Sequence, residues 1–246
     1  MIPNLLEGFN VTCFAYGMTG AGKTHTMIGQ ATSLDENQVH YASNGLCFLA
    51  VDAIFRHTRR GGFTVKVSYL EIYNEQVRDL LDDQQQTLMI VEDPMRGVVV
   101  PGLSEVVIDH PGSLQQIVVL GNQRRMMAAT GANQFSSRSH SILIVSVESQ
   151  TPNSRGEVIY SKLQMIDLAG SERAAQTENR GQRMVEGANI NRSLLALGNC
   201  INILSDNMRP PGTFVPYRDS KLTRLLKDSL GGNTKTVMIA CVSPST

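Results

Sequence analysis

Gly17-Met18-Thr19-Gly20-Ala21-Gly22-Lys23-Thr24 sets three glycines, a lysine and a hydroxyl at the spacing G-x-x-x-x-G-K-[ST]. Glycine permits positive φ, so such a loop can turn its N–H groups inward as a nest for di- or triphosphate oxygens. Lys23 then supplies a mobile positive charge to the outer phosphates, and Thr24 a hydroxyl placed to ligate a Mg²⁺ that bridges them. Asp167 closes the apolar run Val158 to Ile166, and Gly170 follows three positions on. That is the form of a Walker-B aspartate followed by a γ-phosphate-sensing glycine. Asn133 to His140 is a hydroxyl-rich loop with Ser136-Ser137-Arg138-Ser139 at its centre. One phosphate-holding loop and two segments that face it are the parts of a nucleotide switch.

The elements around the loop decide between this reading and a plain glycine turn. Val11 to Tyr16 is a short apolar, β-branched and aromatic run that reads as a buried strand, and Lys23 to Met27 can open a helix with its positive dipole end toward the phosphates. Gln30 to Tyr41 is polar and reads as a surface loop, and Leu46 to Arg56 has helical apolar spacing. Phe63 to Tyr73 alternates as a strand, Val77 to Leu81 reads as a helical turn, and Leu88 to Val91 and Val98 to Val107 as short strands punctuated by Asp93-Pro94, Gly97 and Pro101-Gly102. Ser113 caps a helix that reaches Met127. Ser141 to Glu148 and Val158 to Ile166 read as strands, and Ile190, Leu194, Leu197, Ile201 and Leu204 as one stripe of a long helix. A helix from Ser220 to Leu230 ends at Gly231-Gly232, and Thr236 to Val242 reads as a final buried strand.

Composition narrows the class. The 246 residues suit one large α/β domain, and 41% hydrophobic content is ample for its core. Twenty-two basic and twenty-two acidic residues leave no net charge, so any charged partner must be met by a local patch. Cys13, Cys47, Cys200 and Cys241 are far apart among apolar neighbours, which reads as reduced core cysteines in a cytosolic protein. No apolar run approaches membrane-span length, and Met1-Ile2-Pro3-Asn4 has no basic region leading into an apolar stretch.

The segments together resemble a kinesin motor domain. The resemblance is carried by Phe14 to Met27, Ser68-Tyr69-Leu70-Glu71-Ile72-Tyr73-Asn74-Glu75, Asn133 with Ser136 to His140, Asp167 to Glu172, Asn189-Ile190-Asn191-Arg192-Ser193-Leu194, and Pro216 to Thr223. Glu92-Asp93-Pro94, Gly97 to Val100 and Leu226 to Asn233 resemble the kinesin-8 group more than others. The resemblance implies a P-loop NTPase-like three-layer sandwich, with a central mostly parallel β-sheet flanked by helices, and a microtubule-based motor that hydrolyses ATP with Mg²⁺. Gly17, Met18, Thr19, Gly20, Ala21, Gly22, Lys23 and Thr24 would hold the ATP phosphates, with His25 beside the adenine and Arg125 near the γ-phosphate. Ser136 and Ser137 would form the first switch, Ser137 joining Thr24 on Mg²⁺ and Asp167 holding the ion through water. Gly170 would hydrogen-bond the γ-phosphate. Arg138 and Glu172 would close the site as an ion pair, Glu172 helping to accept the proton of the attacking water; an ordinary structural ion pair is the alternative for these two.

Arg218, Lys221, Arg224 and Lys227, with Arg183 and its neighbours Arg173 and Arg180, would offer a basic face to tubulin, with the helix from Asn189 to Ser205 as the relay. A solvated charged face is the plainer alternative. The same patch lacks the aromatic interleaving that would favour nucleic acid, and no membrane partner is expected. By the family pattern, residues 1–246 are a partial motor domain, without the first strands and the last helix and neck linker. Its last strand then exposes an apolar edge, and dimerisation, if any, uses segments outside this chain. Cytoplasm and the microtubule cytoskeleton are the implied location. Two functions from different classes follow: a microtubule-stimulated Mg-ATPase that drives movement, or a non-motile microtubule-binding or regulatory fragment with weak nucleotide binding.

Overall fold

The computed structural model describes residues 1–31, 41–58, 62–84, 86–127, 137–152, 156, 158–172, 182–206, 208, 210 and 212–243, with the backbone alone at 31, 41–43 and 182–188. Its centre is strand β1 (Asn10–Tyr16), which follows helix α1 (Ile2–Leu6) and leads through the glycine loop into α2 (Lys23–Met27). Then come β2 (Gly29–Ala31), β3 (Tyr41–Asn44), α3 (Leu46–Thr58), the long β4 (Phe63–Tyr73), β5 (Gln76–Asp79), β6 (Thr87–Leu88), β7 (Val91–Asp93), β8 (Gly97–Val99) and β9 (Val106–Ile108). Helix α4 (Ser113–Met127) precedes β10 (His140–Ser149) and β11 (Tyr160–Asp167). The chain continues through α5 (Gln182–Ser205), a 3₁₀ turn (Tyr217–Asp219), α6 (Lys221–Leu225), α7 (Lys227–Gly231) and β12 (Thr234–Ala240).

The main sheet runs β12-β1-β11-β10-β4-β5-β6, with β9 also on β4. It is mixed, not mostly parallel. Only β12 on β1 and β1 on β11 run parallel, and every other pair in it is antiparallel. Chain geometry explains the departure: β4 turns into β5 through Asn74-Glu75 alone, and only residues 150–159 join β10 to β11, so neither connection is long enough for a parallel crossover. Both turn residues have positive φ, 50° and 60°. This two-residue hairpin turn matches the twist of its strands, and it makes 76–79 a strand where the residue pattern suggested a helical turn. The turn is also a contact point: Asn74 Oδ1 accepts from Asn189 Nδ2 of α5, and Glu75 Oε2 from the Lys221 N–H of α6.

Alternation in the strands divides two cores, one on each side of the sheet. Val11, Cys13, Ala15, Val65, Val67, Tyr69, Leu143 and Val145 join residues of α1 to α4 on one face. Phe14, Leu70, Ile72, Ile142, Ile144 and Ile166 meet Leu194 and Leu197 of α5 and Leu222, Leu225 and Leu226 on the other. Because the central strands are covered on both sides, they read as continuous apolar runs. The result is helix, sheet and helix, the expected three layers.

Two further readings need correction. Residues 220–230 form two short helices, not one. Leu226 breaks them at φ −87° and ψ 5°: α6 packs on α5, while Asp228 and Ser229 of α7 turn to hydrogen-bond Val98 N–H and the Thr12 hydroxyl. The last strand is not buried either. With β1 as its one partner among the described residues, β12 leaves Val237 and Met238 41% and 54% exposed, the apolar edge that the family pattern implied. No helix among the described residues is long and apolar enough to cross a membrane.

Gly121 fixes how closely α4 lies on the sheet. A β-carbon there would fall inside van der Waals distance of the buried Tyr69 ring and 3.3 Å from Leu80 Cβ. Alanine should favour the isolated helix by about 1 kcal/mol, whereas overpacking costs about 1–3 kcal/mol. Gly121→Ala is therefore expected to lower stability despite the gain in helix propensity, measurable as a lower denaturant midpoint.

Candidate functional site

Parallel pairing of β1 with β11 places Ala15 opposite Asp167, so the glycine loop leaves the sheet beside the strand-end carboxylate. The loop is also held from its other side: Cys241 N–H donates to Tyr16 O at 2.8 Å, and a side chain at Gly17 would strike the Cys241 carbonyl. Gly20 and Gly22 adopt φ of 82° and 92°, the left-handed region that the loop was expected to need. Met18, Thr19, Gly20, Thr24 and His25 are exposed at its surface.

Lys23 folds back into the loop, donating to Gly17 O at 2.9 Å and Met18 O at 2.8 Å. Burial lowers its pKa, opposed by the charges of Asp167 and Glu172. Thr24 Oγ1 donates to Asp167 Oδ2 at 2.6 Å. Asp167 is 3% exposed; burial raises its pKa against the Thr24 hydrogen bond and the fields of Arg125 and Lys23. Its second oxygen, Oδ1, is buried without a hydrogen-bond partner. A hydroxyl beside an orphaned carboxylate oxygen is the donor set Mg²⁺ takes, directly or through water, so the residues present fit that ion.

Beyond Asp167 the chain crosses in front of the loop. Gly170 N–H donates to Ser137 O at 2.9 Å and Ser171 N–H to Gly17 O at 3.1 Å, which ties the chain after β11 to the turn before β10 and to the loop. A side chain at 170 would collide with Thr19 Oγ1 and the Glu172 carboxylate. Glu172 accepts from the Thr19 N–H at 2.9 Å and from the Thr19 hydroxyl. Burial raises its carboxyl pKa, and the Thr19 hydrogen bonds with Lys23 more than reverse this, so the net direction is down.

Arg138 lies half-buried in the turn before β10, and Ser136 lies outside the described residues. Arg125, expected near the γ-phosphate, is 4% exposed and held from behind: it donates to Ser139 Oγ at 2.9 Å and stands 3.8 Å from Glu71. Its charge still reaches Asp167. The basic residues are less uniform than their spacing suggested. Arg218 is exposed, Lys221 and Arg224 are half-buried, and Glu92 of β7 faces both Lys227 and, at 3.9 Å, Arg218. Arg173 and Arg180 lie outside the described residues, as does the side chain of Arg183.

The family described as kinesin motor domain matches residues 1–246. The chain belongs to the kinesin motor domain family. Kinesin-like protein KIF19 of Homo sapiens is 49% identical over 247 residues, covering 100% of this chain and 24% of that protein. Kinesin-like protein KIN-8B of Arabidopsis thaliana is 44% identical over 249 residues, covering 100% of this chain and 29% of that protein. A solved structure of a fast kinesin, studied for ATPase mechanism and interactions with microtubules, superimposes with a TM-score of 0.84 at 42% identity, covering 99% of this chain and 67% of that one. The chain thus spans about a quarter of the length of the curated relatives it matches.

One residue of this kinesin site carries more than its motif announced. His140, quoted above only as the end of a hydroxyl-rich loop, accepts from the Ala169 N–H through Nδ1 at 3.0 Å and meets Ser193 Oγ through Nε2 at 2.8 Å. Its place one residue ahead of the apolar strand run was the available signal that it would be buried. Burial, then the charges of Arg125 and Lys23, lower its pKa to about 3. The unfolded state therefore takes up a proton near pH 6.5 that the folded state refuses, and stability falls as pH drops below that value. Between about pH 7 and about pH 5 the loss from this group is about 2 kcal/mol. In His140→Asn the difference in unfolding free energy between these two pH values should shrink by that amount, as read from denaturant titrations.

Proposed function

We propose that the protein is a Mg²⁺-dependent ATPase of the kinesin type, stimulated by microtubules, whose hydrolysis drives microtubule-based movement of the parent molecule. The observation that carries this reading is the convergence of Lys23, Thr24, Asp167, Gly170 and Glu172 on a single glycine loop. Gly17 to Thr24 bind the phosphates, and His25 lies beside the adenine. Thr24, Ser137 and Asp167 would hold Mg²⁺, which would supply charge neutralisation at the phosphates. Lys23, released from the Gly17 and Met18 carbonyls, moves to the β- and γ-oxygens. Gly170 donates its N–H toward the γ-phosphate, with Ser136 and Ser137 on the opposite side.

Arg138 and Glu172 close the site as an ion pair once Glu172 leaves Thr19. Glu172 then receives, through an intervening water, the proton of the attacking water as the bond to the leaving ADP oxygen breaks. A carboxylate paired with Arg138 is ionised at neutral pH, as a proton acceptor must be. Arg125 acts on the γ-phosphate through its field, from behind Ser139. Phosphoryl transfer needs mainly positioning and neutralised charge, which this set provides. Phosphate release by the purified protein is expected to rise with microtubules, and Glu172→Ala to abolish the rise while nucleotide binding persists. An unstimulated protein that still sediments with microtubules would leave the non-motile binding fragment as the function.

The microtubule face is Arg218, Lys221, Arg224 and Lys227 with Arg183, set against acidic tubulin, and the kinesin-8 group is the subgroup its loop residues favour. Glu92 competes with that partner for Arg218 and Lys227. Glu92→Gln is therefore expected to tighten microtubule binding several-fold at low salt, and Arg218→Glu to weaken it, both effects shrinking as salt screens the charges. Cosedimentation across a salt series measures both.

A further inference from the structure

The ring of His140 is 2% exposed and has only one consistent protonation. Nδ1 accepts the Ala169 N–H, so it carries no proton; Nε2 therefore carries it and donates to Ser193 Oγ. Ser193, also 2% exposed, passes its own hydroxyl proton to Ile190 O at 2.7 Å. Three hydrogen bonds thus run in one direction from the backbone between Asp167 and Gly170 into the body of α5. Their surroundings are apolar, with Leu168, Leu194 and Leu197 in the same core. A donor pulled away from its acceptor there finds no replacement, so each break leaves an orphaned polar group.

We propose that His140 is a positioning residue that couples α5 to the second switch segment: a shift of α5 at Ser193 is transmitted through the rigid imidazole to the Ala169 amide, and from there to Gly170 and, through its N–H, to Ser137. Geometry favours transmission over absorption. The imidazole has no internal torsion, both of its nitrogens are engaged, and the next amide along is itself bonded to the first switch segment at 2.9 Å. Helix α5 has 24 residues, about 36 Å of length, and besides the sheet and the Asn74 turn it touches α6, α7 and the 3₁₀ turn that carries Arg218. A partner engaging those elements therefore has a mechanical route to the residues around the phosphate loop. The functional half of this inference rests on the microtubule-stimulated ATPase proposed above.

Ser193→Ala removes the acceptor of Nε2 without touching the loop. Its maximal microtubule-stimulated phosphate release is expected to fall about tenfold, the scale of one coupled hydrogen bond, with basal release and the half-saturating microtubule concentration within about twofold of the parent. His140→Asn keeps an acceptor for the Ala169 N–H but is too short to reach Ser193, so it should reproduce Ser193→Ala. The double variant should lose no more than either alone, and Ser193→Thr, which keeps the hydroxyl, should retain stimulation. Full stimulation in Ser193→Ala, additive losses in the double variant, or a half-saturation point that moves with the rate would each overturn the coupling. If Ser193→Ala melts well below the parent, His140→Asn and Ser193→Thr decide by the same criteria. Amide hydrogen exchange tests the link apart from any ATPase: Ser193→Ala should speed exchange at Ala169 and Gly170 and leave mid-strand β10 amides unchanged. Unaltered exchange at Ala169 would overturn the link, whereas accelerated exchange in a protein whose parent shows no stimulation would keep it and reject the proposed function.

Discussion

Asp167 can meet Thr24 only because β1 and β11 lie side by side and point the same way. That one parallel pairing brings a loop near residue 20 to a carboxylate near residue 170, and the rest of the site is referred to it. Gly170 and Ser171 leave β11 already within reach of Ser137 and Gly17, and Glu172 lands on Thr19. If β11 were displaced by one residue, Asp167 would face the other side of the sheet and the hydroxyl would lose its partner. Ten consecutive antiparallel partners between β10 and β4, and eight between β10 and β11, hold that register.

What could be read from residue types was what depends on local chemistry. The glycine loop, the helix read over 46–56 and found over Leu46–Thr58, and the helix at 113–127 all follow from patterns within a dozen residues or so. What escaped depends on partners distant in sequence. Asn74-Glu75 hid a hairpin because its second residue is not glycine, and positive φ at Glu75 is sustained by contacts with α5 and α6. The break at Leu226 answers to Val98 and Thr12, more than a hundred residues away. Glu92 gave no sign that it would neutralise two basic residues of a predicted binding face, and Arg125 none that Ser139 and Glu71 would draw it inward.

The site's electrostatics come from crowding unlike charges into a dry space. Burial pushes Asp167 and Glu71 toward the neutral acid and Lys23 toward the neutral amine; Asp167 and Lys23 oppose each other's shift, and Arg125 and Arg78 oppose that of Glu71. Asp167 Oδ1 has no hydrogen-bond partner, and Glu71 Oε2 and Arg125 Nε face each other at 3.8 Å as an ion pair without a hydrogen bond, so this balance is incomplete among protein groups. Such unsatisfied polarity is costly in a folded core and common where a ligand completes it.

The strand order has a further consequence for the birth of the molecule. Strand β1 is synthesised well before both of its neighbours, β11 and β12, which end at residues 167 and 240. At about 5–20 residues per second, its apolar Val11 to Ala15 wait about ten seconds or more for the first of these partners, while the local β4–β5 hairpin can close at once. Among the described strands, the pairing that holds the glycine loop is therefore assembled after the β4–β5 hairpin, and β1 stays open to misassembly or to chaperone capture in the interval.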